Sequence, residues 1–239
     1  MGSAKPLAGK VALISGASRG IGFAIARTLG RMGAKLGLCA RDAKKLETAA
    51  SELEREGAAV LAVPADITRA SDVAGLVEKT SRTLGPVEIL VNNAGFGYFG
   101  PTHLAGEADW DKVLDTNLKG VFLLSKAVAP GMIEMRRGDI INIASLAGKN
   151  AFAGGGIYCA SKWGLLGLTQ CLAEDLRGFG IRVSAICPGT VATEFSPHAG
   201  KDPRKMLQAE DIAHAVEVIV TQAPQSFISE ILLRPTQKP

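Results

Sequence analysis

Several features that would direct this sequence toward a membrane, a secretory route, a metal site or a nucleic acid are missing from it. No stretch approaches the roughly 18 consecutive apolar residues that a membrane-spanning helix requires. The first ten residues, Met1 to Lys10, contain no apolar core of the kind a secretory signal needs. Pro6 stands where N-myristoylation would want Ser or Thr. There are only four cysteines, Cys39, Cys159, Cys171 and Cys187, with no C-x-x-C pair and no His or Cys at metal-ligand spacing beside them. They read as small buried apolar residues of a reduced compartment, so a cytoplasmic protein without a metal site is expected. The formal charge is only +4, and Lys and Arg are interspersed with Asp and Glu. A nucleic-acid surface normally shows a basic stripe or block, so no such partner is expected. No repeat, linker or low-complexity tract divides the chain.

What is present is an ordinary globular composition, 47% hydrophobic and 21% charged over 239 residues, enough to bury a substantial core as one domain spanning 1–239. Short apolar runs alternate with longer amphipathic ones. The pattern predicts strands over 11–15, 35–40, 59–63, 87–92, 139–144, 181–187 and 230–234. Helices are predicted over 21–32, 43–56, 70–84, two stretches within 107–135, 157–178 and 209–221. Strands without polar alternation, each separated by a helix, imply a parallel sheet covered on both faces. The expected fold is therefore α/β, a single doubly wound Rossmann-type domain of about seven strands, with its ligand beyond the carboxyl ends of the strands.

The first strand runs directly into Gly16-Ala-Ser18-Arg19-Gly20-Ile21-Gly22, which opens the first helix. Glycines allow a tight turn and close approach of backbone to a pyrophosphate, while the helix N-terminus offers free N–H groups and partial positive charge. The spacing is G-x-x-x-G-x-G, not the general G-x-G-x-x-G of dinucleotide sites. About 20 residues further on, the second strand ends at Ala40-Arg41, where an NAD site would place an acid for the ribose 2′-hydroxyl and an NADP site a base for the 2′-phosphate. Arg41 and Arg19 suit that dianion through charge-assisted bonds, so NADP(H) is the expected cofactor. The alternative is that both are solvated surface charges, one of them neutralised by Asp42.

Tyr158 and Lys162 stand four apart at the start of the long apolar helix and so share one of its faces. A phenol titrates near ~10 when unperturbed, and a neighbouring cation would bring it closer to the range useful for proton transfer. Ser145 follows the fifth strand and Asn92-Asn93-Ala94-Gly95 closes the fourth, on the same rim as the glycine turn. Asn117 lies within a helical pattern, where Asn is a poor helix former and calls for a reason.

Taken together, in order and spacing, these elements resemble the short-chain dehydrogenase/reductase family over nearly the whole chain. The residues that carry the likeness are 15–22, Asp66, 92–95, Asn117, Ser145, Tyr158-x-x-x-Lys162, and Pro188-Gly189 with Thr193. The resemblance implies an oxidoreductase in which Tyr158 is the acid/base and Ser145 orients the carbonyl. It implies that Lys162 binds the nicotinamide ribose and lowers the Tyr158 pKa, and that Asn117 holds a water linking Lys162 to solvent. It further implies that Asp66 and Ile67 contact adenine, Asn93 and Gly95 the adenosine side, and Pro188, Val191 and Thr193 the nicotinamide end. A homodimer or homotetramer built on the 157–178 helix and the long helix before it also follows from the resemblance. The chain departs from the family in three places. Ser15 replaces the usual Thr, the 194–208 substrate segment is short, and 228–235 lacks a Gly-Gly close.

The expected reaction is NADP(H)-dependent reduction of a carbonyl, or oxidation of the matching secondary alcohol. The alternatives are a 3-oxoacyl thioester reductase and, in a different class, a non-catalytic NADP-binding regulatory protein. Phe96, Tyr98, Phe99, Leu146 and Phe152 are candidate pocket residues. Pro197, Gly200 and Pro203 leave room for at most a short turn of structure in 194–208, so an open cleft and broad carbonyl specificity are expected. Lys201, Arg204 and Lys205 on that loop offer an alternative, recruitment of an anionic substrate.

Overall fold

A computed structural model describes residues 5–195 and 202–237. The elements alternate as the sequence pattern predicts, and every strand and helix end falls within one residue of the predicted position. The strands are β1 (Val11–Ser15), β2 (Lys35–Ala40), β3 (Val60–Pro64), β4 (Val87–Asn92), β5 (Gly138–Ile143), β6 (Ile181–Pro188) and β7 (Glu230–Leu233). The helices are α1 (Gly20–Arg31), α2 (Ala43–Arg55), α3 (Ala70–Leu84), α4 (Glu107–Leu114), α5 (Gly120–Met135), α6 (Gly156–Arg177) and α7 (Ala209–Thr221). Among the described residues none of these helices is long and apolar enough to cross a membrane.

All seven strands are parallel and lie in the order β3-β2-β1-β4-β5-β6-β7. Successive side chains of a strand point to opposite faces, and the core divides accordingly. From β1, Ala12 and Ile14 pack with α1, α2 and α7. Val11 and Leu13 pack on the other face with α3, α5 and α6. The chain leaves β1 toward β2 on one side and later returns to β4 on the other. This reversal opens a crevice at the carboxyl ends of the two central strands.

Helices α4 and α5 are joined by a π turn over Asp115–Lys119, so 107–135 is one rod with a widened turn in its middle. Such turns insert an extra residue and re-aim nearby side chains. The residue re-aimed here is Asn117.

Candidate active site

A cleft of about 1430 Å³ runs along the carboxyl ends of the strands. One end is built mainly from backbone. Gly16 (φ 66°) and Gly20 (φ 55°) adopt left-handed conformations that let the chain turn sharply from β1 into α1. A Cβ on Gly22 would collide with the carbonyl oxygen of Gly16 and with Nδ2 of Asn93. That amide donates to the carbonyls of Ser15 and Gly16, both at 3.1 Å, and so ties the turn to the end of β4. Ser15 completes the tie: its hydroxyl donates to Val91 O at 3.4 Å and accepts from the N–H groups of Asn93 and Ala94 at 3.1 Å each. The hydroxyl that Ser shares with Thr is the atom that matters at this position. The start of α1 has no side-chain cap and no acid in its first turn, so its N–H groups remain available to an anion.

The cations stand beside this turn. Asp42 does not neutralise Arg41; it caps α2 by accepting from Lys45 N at 3.1 Å and faces Lys45 Nζ at 3.8 Å. Arg19 pairs instead with Glu194, a partner the sequence did not suggest. Partial burial of Asp66 opposes its ionisation, but N–H and O–H donors from Thr68 at 3.0 and 2.8 Å, with Arg41 and Arg69 nearby, hold its carboxyl below the usual range. Asp66 therefore presents only acceptors to the cleft.

At the centre lie Ser145, Tyr158 and Lys162. Ser145 follows β5 in extended conformation, and its Oγ accepts from Ala147 N at 3.0 Å, which leaves the hydroxyl hydrogen to donate elsewhere. The following segment is anchored by Lys149, whose Nζ meets the Glu230 carboxylate of β7 at 2.9 Å; the Cys187 thiol donates to the same carboxylate at 3.4 Å. Burial pushes the Tyr158 phenol up to about 12, and its hydrogen bond with Ser145 pulls the other way. Burial likewise pulls the Lys162 ammonium down to about 8. Its Nζ donates to Ile143 O at 2.8 Å and lies 5.8 Å from the centre of the Tyr158 ring. The expected lowering of the phenol is not seen here. Both groups have been stripped of water, and removal from water disfavours the charged form of each.

Sixteen of the eighteen residues expected at the site line the cleft; Gly22 and Asn117 do not. Gly22 is covered by the turn it permits. Asn117 is 1% exposed and works as a clamp. Its Oδ1 accepts from Phe96 N at 2.7 Å, and its Nδ2 donates to Phe96 O and Ser161 Oγ, both at 2.9 Å. Ser161 Oγ in turn donates to the carbonyl of Tyr158 at 2.7 Å. The clamp explains an Asn in a helix, but both amide donors are engaged, so the side chain has none left for a water.

The far end of the cleft is aromatic. Phe99, Leu146 and Phe152 line it, but Phe96 and Tyr98 do not. The Phe96 ring lies under Lys112 Nζ at 3.9 Å, and Tyr98 folds over Gly100. Phe195, which the sequence reading passed over, also lines the cleft, with its ring centre 5.8 Å from that of Tyr158. Its only signal was its place two residues after Thr193. Of the short loop, 196–201, and with it Lys201, lies outside the described residues. The remainder contains one 3-10 turn, Pro203–Lys205. The guanidinium of Arg204 is held by two bonds to Asp202, at 3.1 and 3.0 Å, and is not a free charge for recruiting an anion. Cys171 departs from expectation because it is exposed, whereas Cys39, Cys159 and Cys187 are buried. No group of three or more His, Cys, Asp or Glu among the described residues could hold a metal ion.

Comparison with known proteins gives a consistent result. The family model described as short chain dehydrogenase matches residues 10–204. The chain is 40% identical over 209 residues to 2-(S)-hydroxypropyl-CoM dehydrogenase 3 of Xanthobacter autotrophicus, covering 87% of this chain and 82% of that one. It is 34% identical over 244 residues to the glycine betaine reductase of Emericella nidulans, a far longer protein of which it spans 19% while 98% of this chain is covered. Among solved structures, a metagenomic short-chain oxidoreductase in complex with NADP superposes with a TM-score of 0.87 and 45% identity, covering 97% of this chain and all of that one.

Proposed function

The chain belongs to the short-chain dehydrogenase family, and on that premise we propose that it is an NADP(H)-dependent oxidoreductase that reduces a carbonyl, or oxidises the matching secondary alcohol, with Tyr158 as general acid/base. The observation that carries the proposal is a buried phenol and a buried ammonium facing the same cleft as the glycine turn. The residues fit the cofactor. The turn is shaped so that backbone can approach a pyrophosphate, and α1 begins uncapped. Arg41 has no capping acid tied to it and would meet a 2′-phosphate, with Lys45 beside it. Lys162 has one protein acceptor among the described residues, Ile143 O, so two of its three N–H groups remain for ribose hydroxyls. Asp66 and Ile67 would meet the adenine, Asn93 and Gly95 the adenosine side through backbone, and Pro188, Val191 and Thr193 the nicotinamide end.

Bound NADP(H) would supply or accept the hydride. The chain's own residues handle the oxygen. The acceptor side of Ser145 Oγ is engaged by Ala147 N–H, so its O–H can donate to a carbonyl oxygen and hold it against the phenol. A phenol pushed up to about 12 is fully protonated at neutral pH, which suits it to give a proton to that oxygen as negative charge develops there. In the opposite direction the phenolate would form against the cost of burial, eased by its hydrogen bond with Ser145. Asn117 acts through Ser161 and the Tyr158 carbonyl, keeping the start of α6 in register with the loop after β4. A spectrophotometric screen of NADPH oxidation against ketones, diketones, quinones and aldehydes tests the proposal; oxidation with none of them would reject it.

The same reading makes the enzyme a homodimer or homotetramer. Trp110 on α4, Phe122 on α5 and Trp163 on α6 are all exposed, and α6 carries apolar side chains around more of its circumference than the sheet covers. Light scattering at micromolar concentration should report a multiple of 24.9 kDa. A single species of that mass would contradict it. The buried thiols of Cys39, Cys159 and Cys187 suit a reducing cytoplasmic setting.

A further inference from the structure

The substrate end of the cleft is enclosed by three phenylalanines from three separate segments: Phe99 after β4, Phe152 before α6 and Phe195 after β6. The Phe99 and Phe195 ring centres lie 5.4 and 5.8 Å from that of Tyr158, and 6.5 Å from each other. Phe152 stands 6.4 Å from Phe99. The rings are inclined at 28°, 55°, 82° and 52° in these pairs, so the phenol is approached through a mixture of ring faces and ring edges. The backbone makes room for this. A Cβ on Gly97 would stand 2.6 Å from the Phe99 ring, and one on Gly155 would penetrate the ring of Phe152.

All three rings remain substantially open to solvent, at 37%, 47% and 43% exposure. A contiguous apolar patch at the mouth of a cleft is unfavourable unless something covers it. Among the described residues no Lys or Arg lies over the face of any of the three. The one acid in the neighbouring sequence, Glu194, is turned away into its pair with Arg19. Among the described residues, no cation is placed over these rings as a counter-charge to a carboxylate or a phosphate.

We infer that the substrate is an uncharged carbonyl compound, or its alcohol, bearing an aromatic ring close to the reacting carbon, and that Phe99, Phe152 and Phe195 select it. This rests on the carbonyl-reductase reading above and narrows it. The ring of the substrate lies in the three-phenylalanine cage while its oxygen meets Tyr158 and Ser145. Edge-to-face contact favours an aromatic over an aliphatic group of equal size by about two- to tenfold for each ring engaged. Anionic carbonyls, including acyl thioesters with a phosphate arm, bury charge against the rings and are disfavoured.

The test uses the full chain with NADPH and four probes, benzylacetone, butanone, acetoacetate and acetoacetyl-coenzyme A. The expected result is a kcat/KM for benzylacetone on the order of a hundredfold above butanone, with both anions poorer still. Phe99→Ala and Phe195→Ala should each reduce the benzylacetone-to-butanone ratio about tenfold, while NADPH binding measured by fluorescence titration confirms that each variant is folded. A ratio near one, a preference for either anion, or a ratio unchanged in both variants would overturn the inference. If none of the probes supports NADPH oxidation, the proposed reaction is in trouble but the cage is still judged, by saturation-transfer NMR from the NADPH-loaded protein to the benzylacetone ring. Ring signal that disappears in Phe99→Ala upholds the cage; no ring signal from the unmodified protein removes it.

Discussion

At its phosphate end the cleft is made of backbone, held in place by Ser15 and Asn93 through five hydrogen bonds among β1, the end of β4 and the glycine turn. At its substrate end it is made of side chains, three rings on three connecting segments, each partly in solvent. The first end recognises what every nucleotide of its class has in common, and its shape is fixed by atoms that every residue possesses. On the proposed function the second would meet what differs from one carbonyl to another, and it can change by single substitutions without disturbing the turn. Between them sits a polar centre whose two ionisable groups are both shifted by burial, in the directions that favour their neutral forms. Binding, chemistry and selectivity therefore occupy different materials along one crevice.

The sharpest break of this arrangement is expected at the centre. Tyr158→Phe keeps the ring and its contacts with Phe99 and Phe195 but removes the proton donor. Turnover should fall about 10²–10⁴-fold, while NADPH affinity stays within about twofold, since the ring remains in place. Retention of a tenth of the activity in a steady-state assay would take the acid/base role away from Tyr158. The pH profile extends the test: because the phenol stands at about 12, ketone reduction should show no loss from its ionisation across neutral pH, whereas alcohol oxidation should climb as pH rises.

The next largest effect is expected at the phosphate end. Arg41→Ala should reduce the preference for NADP over NAD about 10- to 100-fold, from the loss of charged hydrogen bonds worth roughly 1.5–3 kcal/mol. Equal loss for both cofactors, measured by paired titrations, would assign Arg41 to the fold.

A stability measurement separates the centre from both ends. The Lys162 ammonium is held at about 8 in the fold, below its ordinary 10.5. Between those values the unfolded chain binds a proton there that the folded chain does not, so stability should rise as pH increases from about 8 to 10.5. Below about 8 the buried charge is a fixed penalty. Lys162→Met should therefore stabilise the cofactor-free protein at pH 7 by on the order of 1–3 kcal/mol and abolish that rise. Urea unfolding at neutral and alkaline pH reads both, and a destabilised variant with the rise intact would mean that the Ile143 carbonyl contact dominates.

The smallest effect concerns the link between the two ends. Glu194 occupies Arg19 in the free protein, and both are largely exposed. Glu194→Gln should tighten NADPH binding only about two- to fivefold, as befits an exposed pair. No change in the dissociation constant would show that Arg19 takes no part in phosphate binding.

The fold was legible because periodicity reports burial directly: a strand covered on both faces has no polar alternation, and all seven were found from that property. The glycine turn and the Tyr158–Lys162 pair were legible because their geometry is local, a tight turn in one case and a single helical step in the other. Asn117 was recognisable as an anomaly but its role was not, because the explanation lies in a π turn and in Phe96, 21 residues away in sequence. The aromatic cage was half visible. Phe99 and Phe152 stood near the rim, while Phe96 and Tyr98 stood equally near and turned elsewhere, and a loop side chain's direction is set by tertiary contacts that no period reports. Phe195 meets Tyr158 and Phe99, 37 and 96 residues away, and the Arg19–Glu194 pair joins segments 175 residues apart, contacts for which the sequence offers no local sign.

The strand at the far edge of the sheet, β7, has a consequence for the order in which the cleft is assembled. Until Glu230–Leu233 leaves the ribosome, β6 is an unprotected sheet margin, and Ser184 and Ala185 lack the bonds they make to 228–229. Lys149, four residues beyond Ser145, has no carboxylate to meet, and the cleft lacks the wall supplied by Arg234 and Pro235. On the proposed function, a nascent chain that has completed β1 to β6 already has the glycine turn that would meet a nucleotide, yet the segment after Ser145 is not fastened. The cleft is thus complete only once β7 has joined the sheet, and that strand acts as its final stitch.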